Sequence, residues 1–388
     1  MYEPNGISYQ DIRINNRGRI FHTILSSDGL TRQEIVNRLN LSRPTVSKNV
    51  SLLEKSGLIY TVPNMAATGG RRAQIYRVNV NHRTAIGVDI TPHQISTVMV
   101  NLSGEIIARK RIRCTFDESD LYYKKLGEIV QDVIQESRLP ESNVIKVSIV
   151  LPALISPGNK KTYYTGALKP TSGMLTVDEL GKYIPYTKEL RHDTSSSAFA
   201  ESFVNHNLKD FFYLMLSNSV GGALILNRSP YAGVNNRCGE IGHMKLVPKN
   251  GKKCYCGKRG CMDAYCSGKA LTIHTSGDID AFFSLLANHD AASIRIWDDY
   301  IKYLAMSIVN ARLLMDCDIV IGGAIGGKFE PYLSDLRRLV LSLDPFASDA
   351  NYIHVCQFKT DASSAGAALH TIEEYIQSNH YEDSFNEI

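Results

Sequence analysis

The sequence contains no run of about 18 apolar residues, so no segment of it reads as a membrane-spanning helix. Its start, Met1-Tyr2-Glu3-Pro4-Asn5, lacks the basic-then-apolar order of a secretion signal, and a cytoplasmic location is expected. No short-period repeat or low-complexity tract is visible, which leaves no support for a solenoid or fibrous chain. Excess charge of one sign is small too, a net +4 over 388 residues. What is present is ordinary for a globular chain of two or three domains with a large core: 44% hydrophobic and 21% charged residues.

The small net charge is unevenly placed. Residues 1–80 carry 11 Lys and Arg against 5 Asp and Glu, while the rest carry 32 against 34. The excess lies on a segment that reads as a winged helix-turn-helix, as phosphate attraction requires. A helix over Asn15–Leu25 would turn Ile20, Ile24 and Leu25 inward. Thr31 and Glu34 form a capping box for a short helix with Ile35, Val36 and Leu39 on its apolar face. Ser42 is a good N-cap for a second helix, and Pro44 suits its first turn. Val46, Val50 and Leu53 make its buried stripe. Arg43, Thr45, Ser47, Lys48 and Asn49 are then expected outward, where with Ser42 they could reach phosphates and base edges of operator DNA. Gly57 ends this helix. Leu58–Val62 and Gln74–Val78 read as a hairpin whose tip carries Arg71 and Arg72, either a DNA-contacting wing or a surface hairpin with solvated charges.

After about residue 82 the pattern changes, and the expected domains are 1–82 for DNA binding and 83–388 for a larger α/β body. Thr84–Ile90, Gln94–Leu102 and Glu105–Ile112 read as strands, Leu121–Arg138 as a helix and Val144–Leu151 as a buried strand. That order opens an actin-like, ribonuclease-H-like α/β domain. A second copy is suggested by Phe211–Leu216, a turn at Gly221-Gly222, Ala223–Leu226, a helical region 280–314 and a strand over 318–323. Two such halves with a cleft between them would account for the length. The acidic end, Tyr381–Ile388, is expected to be loosely ordered.

Five of the eight cysteines fall between Cys238 and Cys266. Gly239-Glu240-Ile241-Gly242-His243 is followed by Cys254-Tyr255-Cys256 and Cys261. Three thiolates and one imidazole suit a closed, four-coordinate Zn2+ site that is structural rather than catalytic; the alternative is a set of reduced cysteines without metal. Lys252, Lys253, Lys258 and Arg259 would favour the thiolate forms. Cys238 and Cys266 read as small buried residues or neighbours of the site.

These motifs together resemble the ROK family of repressors and sugar kinases, within it the xylose-repressor type of transcriptional regulator, over nearly the whole chain. The resemblance implies a two-lobed body that assembles as dimer or tetramer and binds a sugar or sugar phosphate in its cleft. It implies His243, Cys254, Cys256 and Cys261 as zinc ligands, and Glu240 and His243 as contacts to sugar hydroxyls. Asp193 matches the catalytic base of the kinases, Asp263 a family glutamate, and His192 a family asparagine. In this chain these residues would bind rather than catalyse.

The alternative is an ATP-dependent sugar kinase. A family kinase needs glycine-rich turns whose backbone approaches phosphate. Here the first reads Asp89-Ile90-Thr91-Pro92-His93, and proline also removes an N–H donor. The second, Ser217 to Gly222, keeps only part of its glycines. The expected protein is therefore not an enzyme but a sugar-responsive DNA-binding regulator of the repressor kind. Control by a protein partner instead of a sugar is the other alternative.

Overall fold

The computed structural model describes residues 9–63, 74–165, 167–205, 207–346, 348–358 and 361–377. Arg71, Arg72 and the acidic end 381–388 lie outside them.

The chain begins with α1 (Tyr9–Leu25), longer than the periodicity suggests, then β1 (Leu30–Thr31), α2 (Arg32–Leu39), α3 (Arg43–Lys55), β2 (Ile59–Pro63) and β3 (Gln74–Val78). The capping signals are used as read. Thr31 and Glu34 close a reciprocal box on α2, and Ser42 accepts the Thr45 N–H at the start of α3. The strands order β1-β3-β2, with Leu30 opposite Tyr76 and Ile59 opposite Val78. Ile20, Phe21, Ile24, Ile35, Val46, Val50 and Leu53 fill the middle. Their cluster continues without a break into Val98, Leu102, Phe199, Leu369 and Ile372 of the body, so the winged unit shares a core with its neighbour.

The body holds two five-stranded sheets of one design. In the first, β4 (Thr84–Thr91), β5 (Gln94–Asn101) and β6 (Ile106–Arg113) run antiparallel. α4 (Asp120–Ser137) follows, then β7 (Val144–Leu151), the small hairpin β8 (Leu154–Ile155) and β9 (Thr162–Tyr164), α5 (Val177–Leu180), and β10 (Lys188–His192). Strands β7 and β10 run parallel, giving the order β10-β7-β4-β5-β6. α6 (Asp193–Val204) leads to the second sheet: β11 (Phe211–Leu216), β12 (Val220–Leu226), β13 (Ser229–Tyr231), β14 (Asp318–Gly322) and β15 (Ile353–Val355). Its order, β13-β12-β11-β14-β15, repeats the first. Between β13 and β14 lie α7 (Asp263–Cys266), α8 (Gly268–Leu271), α9 (Ile279–Ala287) and α10 (Ala291–Met315); α11 (Gly323–Gly326), α12 (Leu333–Leu343) and α13 (Ala362–Gln377) complete the fold. α6 and α13 pack face to face between the sheets.

Two expectations need correction. Gly221 and Gly222 are not a turn; they lie inside β12, opposite Met215 and Leu214, and the turn falls at 217–219. The helical region 280–314 is two helices. His289 takes a left-handed φ of 59°, and the Asp290 side chain caps α10 by accepting the Ser293 N–H.

Candidate functional site

Three groups of expected site residues occupy distinct places. On α3, Arg43 and Lys48 are exposed, Thr45 and Ser47 are partly covered, and Ser42 lies exposed at the N-cap. Asn49 is a correction. It is buried beside Val46 and Val50, and its amide donates to the Thr45 carbonyl at 2.8 Å. It holds the helix from inside and cannot reach DNA from there.

The cysteine-rich loop brings His243, Cys254, Cys256 and Cys261 together, with one donor atom from each within 4.8 Å of all the others. The local backbone makes this possible. Gly239 and Gly242 lie so close to β12 that a Cβ on Gly222 would meet the Gly239 carbonyl at 2.6 Å, so the motif's glycines let it settle directly on the strand that leads into the cleft. The loop then returns through Cys254 N–H to Lys258 O at 2.8 Å and Gly260 N–H to Lys252 O at 2.9 Å.

The Cys256 and Cys261 sulfurs are 3.8 Å apart, and the Cys254 sulfur is 3.9 Å from His243 Nδ1. Four ligands at tetrahedral angles with metal–sulfur bonds of about 2.3 Å put sulfurs about 3.8 Å apart, so the donor set fits a tetrahedral ion. Burial pushes the metal-free Cys254 thiol up to about 12. Burial also acts on Cys256, but the Lys258 backbone N–H, the neighbouring thiols and Lys245 outweigh it and lower this thiol. Lys245 Nζ is 3.1 Å from Cys261 Sγ. The sequence reading pointed to other cations; of those, Lys252 instead sits over the Tyr265 ring, 5.1 Å from its centroid.

Tyr255, between two of the cysteines, is a site residue that spacing alone did not flag. Its hydroxyl is 3.2 Å from His243 Nε2, the nitrogen turned away from Cys254. Burial, then the charges of Asp263, Tyr164 and Glu240, raise its ionisation well above the phenol range. Glu240, Asp263, His243 and Tyr255 thus form one neighbourhood beside the metal loop. Asp263 is buried, which raises its pKa, and one carboxylate oxygen accepts the Val220 N–H at 2.8 Å. Tyr255 and Asp263 also border a cavity of about 350 Å³ with Lys252, Lys253 and Lys269 on its walls.

Asp193 stands beside β12, next to Thr194. It opens α6, where its Oδ1 accepts the Thr194 N–H at 2.6 Å, and Thr194 packs against Gly221. His192 is the N-cap of that helix: its Nδ1 accepts the Ser195 N–H at 3.4 Å, while Nε2 lies 3.4 Å from Asp193. Two further acidic groups, Asp89 and Asp361, lie in this region. Asp89 near the end of β4 is raised to about 8 by burial and by the charges of Asp193 and Asp361. Asp361 is held by Ser96 at 2.8 Å and Arg111 at 2.6 Å. The Asp89 turn that a kinase would use for phosphate is here a tight hairpin. Thr91 pairs with Gln94 across Pro92-His93, and the carbonyls of Pro92 and His93 accept the N–H groups of Phe116 and Cys114.

A winged helix-turn-helix joined to a duplicated α/β body, with acidic groups beside a centre of one histidine and three cysteines, defines a class in which a sugar-kinase-type scaffold carries a DNA-binding unit. The chain belongs to the ROK family, whose model matches residues 85–374, and residues 15–68 match the MarR family. It is 29% identical over 310 residues to the xylose repressor of Bacillus spizizenii, covering 76% of this chain and 78% of that one. The fold is that of a ROK family transcriptional regulator described as a homologue of the Escherichia coli MLC protein, with TM-score 0.74 and 20% identity over 94% of this chain and 97% of that one. The body alone resembles the ROK hexokinase of Thermus thermophilus, with TM-score 0.61 and 19% identity over 74% of this chain and 97% of that one.

Proposed function

We propose that this chain is a sugar-responsive, DNA-binding transcriptional regulator of the repressor type. One observation carries the reading: a winged helix-turn-helix with α3 exposed along its outer face is built onto a ROK body through a shared core. A xylose repressor relative matching three quarters of the chain supports both the output and the sugar. The hairpin at Pro92-His93 supports binding without phosphoryl transfer, since its proline offers no N–H to a phosphate. Two copies would place two α3 helices one DNA turn apart on a near-palindromic operator, as dimer or tetramer.

In the cleft, a sugar or sugar phosphate would be bound by Asp193, Glu240, His243 and Asp263, with His192 beside them. Carboxylates and imidazole suit vicinal hydroxyls, which need paired acceptors and donors in a desolvated site. The metal reading is Zn2+ held by His243, Cys254, Cys256 and Cys261. With four protein ligands it supplies no open position for chemistry; it fixes the loop that carries Tyr255 and orients His243.

A shift assay on DNA upstream of the protein's own locus, over a range of salt, tests the DNA reading. Equal binding to random DNA at physiological salt would overturn it. A thermal-shift panel of sugars and sugar phosphates tests the cleft: a stabilising hit abolished by Glu240→Ala supports it, and a hit indifferent to that change places the ligand elsewhere. Measurable ATP binding by calorimetry would restore the kinase reading.

A further inference from the structure

The helix-turn-helix carries a side-chain bond between its two helices. Arg43, the first residue of α3, donates from Nη2 to Gln33 Oε1 on α2 at 2.8 Å, and the Gln33 amide nitrogen donates to Asn37 Oδ1 at 2.8 Å. All three residues are exposed. A bond between exposed side chains adds little to folding stability. What it does is fix one of the most flexible side chains in the unit before any partner arrives.

Ser42, Thr45 and Asn49 are already engaged. The Ser42 hydroxyl accepts the Thr45 N–H and lies 2.8 Å from the Thr45 hydroxyl. The Asn49 amide is turned inward. Arg43 and Lys48 remain as long donors on the exposed face, and only the guanidinium offers a planar fork. With one of its five N–H groups given to Gln33, the rest suffice for a two-pronged bond to guanine O6 and N7. The N-terminal residues of such a helix are the ones that meet base edges.

We propose that Arg43 reads a guanine in the major groove and that Gln33 is its positioning residue. The inference rests on the DNA-binding reading above. The test is selection from a duplex library with a randomised core, using full-length wild type, Arg43→Ala and Gln33→Ala, followed by affinity and salt-slope measurements on the selected duplex. Wild type should select a guanine at one position of each half-site. Arg43→Ala should lower that preference by about 10- to 100-fold and leave the other positions alone. Gln33→Ala should lower it by about 2- to 10-fold at the same position, with unchanged melting temperature and salt slope. Equal weakening on all sequences with a shallower salt slope in Arg43→Ala would make Arg43 a phosphate contact and overturn the proposal. A Gln33→Ala profile identical to wild type would remove Gln33 from it. Failure of the wild type to enrich any sequence would overturn the DNA reading itself, and the pair with it.

Discussion

If His243, Cys254, Cys256 and Cys261 hold a metal, its removal should melt one loop while leaving the sheets in place. In the segment from Lys252 to Cys261, Lys252, Lys253, Tyr255, Gly257, Lys258 and Arg259 are exposed, and the buried side chains are the thiols of Cys254 and Cys261. Ordering about ten residues costs on the order of 10–20 kcal/mol. The loop's few backbone bonds return about 1 kcal/mol each. The deficit matches the roughly 10–16 kcal/mol by which a structural zinc stabilises small folds. Cys261→Ser deletes one ligand of four and should abolish stoichiometric zinc, read by elemental analysis of purified protein. Amide exchange should then rise across 250–261 and stay slow in β11 and β14. With zinc free at about 100 times its dissociation constant, the binding contribution is about 2.7 kcal/mol, a drop of roughly 3 °C in melting temperature on its loss. If protein stripped by chelator keeps wild-type exchange in 250–261 and an unchanged melting temperature, the loop is held by its own contacts and the argument fails.

Other consequences follow from single side chains. Asp89 is raised to about 8, so the folded chain holds a proton there that the unfolded chain releases above the ordinary carboxylate range. Its contribution is complete at low pH and lost as pH rises through 8. Asp89→Asn should therefore gain in stability over wild type between about pH 4 and 8, by at most about 1.4 kcal/mol per pH unit, and level off above 8, and a difference flat across that range would refute the assignment. A Cβ on Gly366 would run into the Ser196 carbonyl where α13 crosses α6, so Gly366→Ala should cost about 1–3 kcal/mol in denaturant titration. Asn49→Ala should lower the stability of the winged unit by about 1 kcal/mol in denaturant melts without altering base preference, since the amide bonds inward.

The winged unit was legible because its signals are local. Thr31 with Glu34, Ser42 and Gly57 mark ends by capping chemistry that neighbours in sequence supply. Asn49 was misplaced because an apolar pattern ignores a polar residue on the same stripe: it stands three residues after Val46 and four before Leu53, the two spacings that share a helix face. Gly221 and Gly222 looked like a turn because glycine usually marks one. Here the glycine at 222 serves the backbone approach of Gly239, a contact between segments far apart in sequence. The split at His289 was hidden because the apolar rhythm of α9 continues into α10. The clustering of His243, Cys254, Cys256 and Cys261 could be read from spacing, but Tyr255, Lys245 and Asp361 gained their places only from the way the chain folds back.

The expected sugar residues and the DNA-binding unit lie on one continuous scaffold. Arg191 and His192, just before Asp193, end β10, and Arg191 bonds Glu374 of α13 at 2.7 Å. The adjacent Glu373 bonds His22 of α1 at 2.8 Å, and Tyr375 accepts from Arg83 at 3.1 Å. α6 is joined to the same helix by Ser197 with Ser363, and to the segment between β15 and that helix by Glu201, which accepts the N–H groups of Gln357 and Phe358. A groove of about 910 Å³ lies beside this junction, with Arg19, His22, Phe203 and Glu373 on its walls. Burial pushes Glu373 up, but the His22 bond and charge outweigh it and hold this carboxylate below its usual range, so the contact is electrostatic as well as geometric. A ligand that favours one position of the β10–α6 corner would, through these contacts, favour one position of α13 and one placement of α1. By reciprocity, DNA that favours that placement must tighten the ligand by the same factor.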